Sequence, residues 1–354
     1  MGSRKSSVTV ADVARAAKVS KATAARVLGG YGIAGEASRA AVLAAAEALG
    51  YRPNELARSM STGRSGLVGV VVGDIENAFF AQAVRGISDR LRSADLNLII
   101  SNSSEDLREE VEMVSVLLRQ RVAGMIVAPT DMDQVDHLRA AMAAGTALVT
   151  LDRWVPGLGA DAVCGTDRAS AAAVLARLQA AGHRRVAYVT AVPLRPGQAF
   201  APAQVGIAAV RERIEGFLSA TAAAGVEGAA DLVFPGATGE PEVERIVARL
   251  LASRPRITAV MASDSLVGAR IFRALTQRGL ALPRDMSLVS WFDADWTSVT
   301  RPQISVVDQP TYRFGARAAE RLIARIGGDG APPRRHEIAT PLIERGTIGP
   351  PPAD

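Results

Sequence analysis

The chain has 354 residues, 48% hydrophobic and 22% charged, a composition that builds buried cores and excludes intrinsic disorder. A single cysteine, Cys164, excludes a disulfide framework or a cysteine-based zinc site, and apolar runs such as 67–72 fall far short of the roughly 20 residues of a membrane span. The net charge of +5 is unevenly placed: residues 1–65 hold ten Lys/Arg against four Asp/Glu, while the remainder is close to neutral, the footprint of a basic module that meets a polyanion.

The first seven residues are polar, without the apolar stretch of an export signal, so the chain is expected to be cytoplasmic and nucleoid-associated. Thr9-Val-Ala-Asp12 then sets a hydroxyl three residues before an acid, with Val10, Val13 and Ala14 at helical spacing, which predicts a capped short helix. Ser20 can cap a second helix over 21–28, with Thr23 at its third position. The gap between the two admits only a tight turn. Ala14, Ala17 and Ala24 allow close approach, Val13, Val19, Val27 and Leu28 supply a small core, and a third helix over 37–49 is stopped by Gly50. This spacing is that of a helix-turn-helix, whose second helix enters the major groove by its N-terminal end. Lys21, Ala22, Ala25 and Arg26 point outward. Lys21 and Arg26 can pair with guanine O6 and N7 or merely neutralise phosphates, and Ala22 can touch only a thymine methyl.

Residues 54–61 read as a two-turn helix capped by Asn54, too short to stand alone since isolated helices need about 12–15 residues. A polar linker follows to Gly66. Strand and helix signals then alternate: strands at 67–72, 96–101, 124–128 and 147–151, with helices at 80–94, 110–121 and 135–144. A second series has helices at 169–181, 211–224, 242–251 and 266–278, and strands at 186–190, 232–234, 259–262 and 286–291. Such alternation predicts parallel sheets covered by helices in two lobes, with ligands bound beyond the carboxyl ends of the strands. Asp167 and Asp264 are read first as helix caps, Phe80 as core. The segment 191–204 is long for a connection and supplies either extra contacts or a flexible insert.

An enzyme is not expected. The glycines of 63–69 precede a strand, whereas a phosphate-binding loop follows one. His137, His183 and His336 are scattered, with no shared nucleophile motif. No cofactor or metal is called for.

The run from Val8 to Leu28, continued through 44–60, resembles the headpiece of the lac repressor (LacI/GalR) family of transcription regulators. That resemblance implies base reading by Lys21, Ala22 and Arg26, phosphate contact or capping by Thr9, Ser20, Thr23 and Asn54, a minor-groove wedge at Met60, and Arg58 in the same DNA-facing set. Ala25 and Gly29 depart from the serine and asparagine usual there. The body is similar to the family's sugar-receptor-like effector domain. Asp74–Phe80, 151–153, 211–217, 263–264, 290–293 and Gln309 carry the match. By it, Asn77, Phe79, Asp152, Arg153, Arg213, Ser263, Phe292, Asp293 and Gln309 contact the effector. Phe292 stands where an acid is common and Ser263 where asparagine is, which implies a less polar or larger ring than a simple hexose.

The expected architecture is therefore α/β: an N-terminal helix-turn-helix headpiece (1–52), a hinge helix and linker (53–65), and a two-lobed periplasmic-binding-protein-like body with parallel sheets (66–348). Lobe 1 takes 66–165 and 294–324, lobe 2 takes 166–293 and 325–348. The expected partners are double-stranded operator DNA of pseudo-palindromic sequence, a small-molecule effector and a second copy in a homodimer, with no membrane. A rival from another class is a metabolite sensor that acts through a protein partner, its basic segment a docking tail.

Overall fold

The computed structural model describes residues 8–29, 34–51, 66–193 and 200–352. The chain divides into two compact units, residues 1–66 with 121–123, and the rest. The predicted hinge helix, with Asn54, Arg58 and Met60, lies outside the described residues, as does the middle of the 191–204 segment.

The first unit holds helices α1 (Val10–Ala16), α2 (Lys21–Gly29) and α3 (Glu36–Ala48). The predicted capping box is present: the Asp12 amide donates to Thr9 Oγ1 at 3.4 Å, and the Thr9 amide to Asp12 Oδ2 at 3.0 Å. Val13, Ala14, Ala24 and Val42 are buried at the meeting of the three helices, with Val19, Val27, Leu28 and Tyr51 packed around them. Such a core is small, so the caps matter: each is worth about 1 kcal/mol.

In the second unit, β1 (Leu67–Val72), α4 (Ala78–Arg92), β2 (Asn97–Asn102), α5 (Leu107–Arg119), β3 (Gly124–Val127), α6 (Asp136–Ala143), β4 (Ala147–Leu151) and β5 (Asp161–Gly165) form the first lobe. The chain continues through α7 (Asp167–Ala180), β6 (Val186–Val189), α8 (Ala208–Ala223), β7 (Val233–Phe234), α9 (Glu240–Ala252), β8 (Ala259–Ala262), α10 (Ser265–Gln277), β9 (Ser287–Trp291), α11 (Asp295–Val299) and β10 (Ser305–Val307). It ends with α12 (Thr311–Ile326), β11 (Arg335–Ile338) and β12 (Leu342–Ile343). The strands make two six-stranded sheets, β11-β5-β4-β3-β1-β2 and β12-β10-β9-β8-β6-β7. Their pairings are parallel except for β10 with β12. Near-continuous apolar strands such as β1 and β8, buried on both faces, are what a helix-covered parallel sheet demands.

The lobe boundaries differ from those expected. Residues 296–307 belong to the second lobe, because Ile304, Val306 and Val307 are fully buried in its core and Trp296 packs against it. Residues 325–338 remain in the first, because β11 pairs with β5 (Arg335 opposite Ala162). The chain thus crosses between lobes near 166, 308 and 340, and the crossings are tied together. Thr166 and Thr340 hydroxyls lie 3.0 Å apart, Ser170 Oγ donates to the Thr340 carbonyl at 2.7 Å, and the Asp308 amide donates to Pro341 O at 2.8 Å.

α12 closes the first lobe against α4, and glycines set their separation. A Cβ on Gly315 would strike the Ala83 carbonyl oxygen, and one on Gly86 that of Tyr312. Gly→Ala in a helix interior ordinarily gains about 1 kcal/mol. Here the obstacle is backbone that cannot rotate away, so the sign reverses. Gly315→Ala is expected to destabilise by about 1–3 kcal/mol, read as a lowered urea midpoint; a raised midpoint would contradict the packing.

Candidate functional site

In the first unit, α2 presents its N-terminal half to solvent. Ser20 accepts from the Thr23 amide at 3.0 Å, and the two hydroxyls lie 2.8 Å apart. Lys21, Ala22 and Arg26 are exposed while Ala24 is fully buried, so helical periodicity alone separates the outward face from the core face. Arg26 lies back along the helix, Nε donating to the Ala22 carbonyl at 3.4 Å. Thr9 and Ser20 are exposed but already engaged as caps. The arrangement is an exposed helix face with Lys21 in its first turn and Arg26 in its last, fit to face negative charge.

The second candidate site lies where strand ends of the two lobes converge. Asp152 follows β4, Asp167 opens α7 after β5, Ser263 follows β8, Phe292 and Asp293 follow β9, and Gln309 follows β10. Asp152 and Phe292 have left-handed backbones (φ 65° and 68°), a strain that concentrates at ligand sites. Arg213, on α8, is 5% exposed; its Nε donates to Asp167 Oδ1 at 2.5 Å and its Nη1 to the Ser263 carbonyl at 2.9 Å. Its guanidinium also lies 5.6 Å from the centre of the Trp291 ring. Burial works against the Arg213 charge, but Asp167 and Asp152 outweigh it and hold the group above its usual range.

Asp152 is equally buried, and its carboxyl is pushed up to about 6, first by desolvation and then by Asp167. Burial likewise raises Asp167. Six buried polar atoms of the described residues here have no hydrogen-bond partner: Asp152 Oδ1, Asp167 Oδ2, Gln309 Nε2, Tyr188 Oη, Trp291 Nε1 and Arg153 Nε. Buried polar groups are nearly always paired. Two acceptors, three donors and one hydroxyl left open in one region therefore mark a place built for a polar guest.

Several expected contacts have other employment. Arg153 forks onto Glu105 (2.8 and 2.6 Å) and donates to the Pro129 carbonyl at 3.0 Å, bracing the first lobe. Asp293 is held by both arms of Arg345 (2.8 and 2.5 Å) and by Thr297. Asn77 caps α4, accepting from the Phe79 amide at 3.0 Å. Phe79 is 7% exposed and edge-on to Phe80, Phe292 and Phe314. Phe292, expected as a free stacking surface for a larger ring, is 4% exposed and belongs to the first lobe's apolar core. Buried there, it leaves little free surface on which a larger ring could stack.

Ser263, fully buried, donates its hydroxyl to Asp264 at 2.7 Å. Asp264 caps α10 as expected, through the Val267 amide at 2.8 Å, whereas Asp167 makes no cap and serves Arg213 instead. Asp167, Tyr188 and Trp291 are the residues that sequence reasoning left out of the site. Only the acid of 167 at a strand-to-helix junction could have signalled it.

A separate cavity of about 560 Å³ runs along α7 and α8 past Ala169, Ala172 and Gly216, and shares Asp167 with the cleft. Arg335 fills its polar end, forked onto Glu212 at 2.7 and 2.8 Å. Among the described residues no cluster of His, Cys, Asp or Glu could hold a metal, and no helix is long and apolar enough to cross a membrane.

Residues 9–54 match the profile of bacterial regulatory proteins of the lacI family, and 175–348 that of the periplasmic binding protein-like domain. The ribose operon repressor of Bacillus subtilis (strain 168) is 30% identical over 321 residues, 90% of this chain and 91% of that protein. The HTH-type transcriptional regulator GalR of Escherichia coli (strain K12) is 28% identical over 346 residues, 95% of this chain and 97% of that one. Among solved structures, a transcriptional regulator CelR–cellobiose complex is 27% identical with a TM-score of 0.69, covering 96% of this chain and 99% of that one. The lac repressor dimer bound to operator and the anti-inducer ONPF shares the fold, at 22% identity and a TM-score of 0.81, over 97% of this chain and 99% of that one.

Proposed function

The chain belongs to the lacI family of bacterial regulatory proteins, and from that membership we propose that it is a transcriptional repressor whose grip on operator DNA is set by a small sugar-like effector bound between its lobes. The curated relatives are regulators rather than enzymes. One arrangement supports the DNA side above all: a capped helix that exposes Lys21 in its first turn and Arg26 in its last on one outward face, in a segment with a surplus of six positive charges.

A single headpiece offers few base contacts, so the working species is a homodimer that reads a pseudo-palindrome on the DNA of the cytoplasmic nucleoid. Lys21, Ala22 and Arg26 face the bases, while Thr9, Ser20, Thr23, Asn54 and Arg58 face the backbone and Met60 the minor groove. The unpartnered atoms of Asp152, Asp167, Gln309 and Tyr188, with Arg213 beside them, support the effector side. Effector and operator are then coupled, and each must alter the other's affinity by one and the same factor, typically 5–150-fold.

Footprinting on genomic fragments is expected to reveal a protected palindrome of fixed half-site spacing. Arg26→Ala is expected to weaken operator binding by about 1–3 kcal/mol while leaving low-salt binding to random DNA almost intact. Equal losses on both DNAs would assign Arg26 to phosphate neutralisation. A protein that protects no fragment, with or without small molecules, would overturn the reading.

A further inference from the structure

Three charges in a row, Arg211, Glu212 and Arg213, sit near the start of α8, a helix whose Ile214 and Phe217 are buried in the second lobe's core. Arg213 turns to Asp167 in the cleft. Its two neighbours reach across to the first lobe. Arg211 Nη2 donates to Asp133 Oδ2 at 2.6 Å, in the loop after β3, while its Nε is steadied by the Val205 carbonyl at 2.7 Å. Glu212 accepts both arms of Arg335, on β11, at 2.7 and 2.8 Å. Beside the first of these grips, the Met132 amide donates to the Gly206 carbonyl at 2.9 Å.

The two grips fall on different parts of the first sheet. In its order β11-β5-β4-β3-β1-β2, β11 and β3 are three strands apart, about 14 Å at the usual strand spacing. A single tie between two bodies fixes a distance and leaves them free to twist about it; two ties on separate strands fix the twist as well. The grip on β11 is also stiff. The side chains of Arg335 and Glu212 are only 21% and 20% exposed, and the Arg335 guanidinium lies 4.9 Å from the centre of the Trp154 ring. A two-armed, half-dry fork holds one geometry, which a lone exposed ion pair does not.

We propose that Arg211 and Glu212 form a two-point clasp that sets the angle between the lobes, and that the effector works this clasp through Arg213. The three residues share one helical turn, so a guest that displaces Arg213 shifts both grips together. This rests on the effector reading given above and adds the residues that carry the signal out of the cleft. Arg211 and Glu212 are thereby positioning residues, which act on operator DNA through the lobe angle. Clasped and released lobes are the two discrete states that a switch between two operator affinities requires.

The first test uses the unliganded full-length protein without DNA. Hydrogen exchange read by mass spectrometry on the segment 129–135 reports the Met132 amide, whose acceptor lies in the other lobe. Glu212→Ala breaks only the distant grip, yet this segment is expected to exchange at least about fivefold faster, the lower end of coupling between sites. Segments inside one sheet, such as β1 and β8, should keep their wild-type rates. Glu212→Gln, which keeps the size and loses the charge, gives the same reading with less risk to the fold. Arg213→Lys touches neither grip and should also speed exchange at 129–135. An unchanged rate there in the Glu212 variants overturns the clasp, and equal acceleration everywhere overturns it too, as general loosening. An unchanged rate in Arg213→Lys overturns the link to the cleft.

The second test uses an operator fragment recovered by footprinting. Asp133→Asn and Glu212→Gln are each expected to shift the unliganded affinity for it by about fivefold or more, both in the same direction, with binding to random DNA unchanged. The double variant should go no further than either one, because a single break already frees the twist. Additive shifts, or none, overturn the clasp as a control on DNA. If no fragment binds while segment 129–135 still responds to Glu212→Gln, it is the repressor reading that fails, and the clasp between the lobes stands.

Discussion

Arg213→Ala is expected to lower the stability of the body by about 3–5 kcal/mol and to abolish any response of operator binding to effector. The cause is not the lost attraction alone. Arg213 and Asp167 are 5% and 1% exposed, so truncating the arginine strands a carboxylate in a dry site where Asp152 already lacks a counter-charge. Three further ties go with it: the bond to the Ser263 carbonyl, the stacking over Trp291, and the packing of the arginine stem. Arg213→Lys should not restore function, because an ammonium cannot reproduce a fork that reaches Asp167 and the Ser263 carbonyl together.

The informative control is the double variant. With Asp167→Asn added, the stranded charge disappears, so Arg213→Ala/Asp167→Asn should be more stable than Arg213→Ala itself. Urea unfolding of the four proteins reads the cycle. Additive losses would mean that the pair does not act as a unit, and the ion pair would then be a bystander in the cleft.

That pair also marks where the sequence stops being readable. The headpiece is legible because its determinants are local. A capping box spans three residues, a tight turn is enforced by the short gap, and the outward face of α2 follows from a 3.6-residue period. The strand ends of the body are legible for a similar reason: apolar runs stop where polar motifs begin, so Asp152, Ser263, Phe292 and Gln309 fall at the correct ends. What stays hidden is which charges are already spent. Asp167 and Arg213 are 46 residues apart, and an acid at a helix start looks like a cap. Arg153 meets Glu105 across 48 residues, and Asp293 meets Arg345 across 52. No local pattern announces such marriages.

The C-terminal 60 residues show two further limits. α12 carries a readable stripe in Phe314, Ala318 and Leu322, all fully buried, yet β11 is a polar edge strand and β12 only two residues long. Neither offers the apolar alternation by which strands are recognised. The lobe boundaries went astray there, because the return of β11 to the first sheet is decided by its pairing with β5 rather than by its own composition.

Phe292→Ala is expected to cost about 3–5 kcal/mol, and the reason bears on how the lobes move. Phe292 follows β9, a strand of the second lobe, but its ring sits in the first lobe's core, 6.0 Å from Phe79 and at 73° to it. One lobe is thus plugged into the other. The left-handed backbone at 68° aims the ring there, so the strain and the packing can be separated by substitution. Phe292→Gly also removes the ring but relieves the backbone, and should recover only about 1 kcal/mol relative to alanine. If glycine instead restored wild-type stability, strain would be the dominant influence and the plug unimportant. With the ring gone, the three crossings near 166, 308 and 340 and the ion pairs at the start of α8 remain as restraints on opening. Small-angle scattering of Phe292→Ala should then report a larger radius of gyration than wild type, and saturating effector should reverse it. An unchanged radius in a destabilised variant would mean that the ring fills space in the first lobe without holding the second.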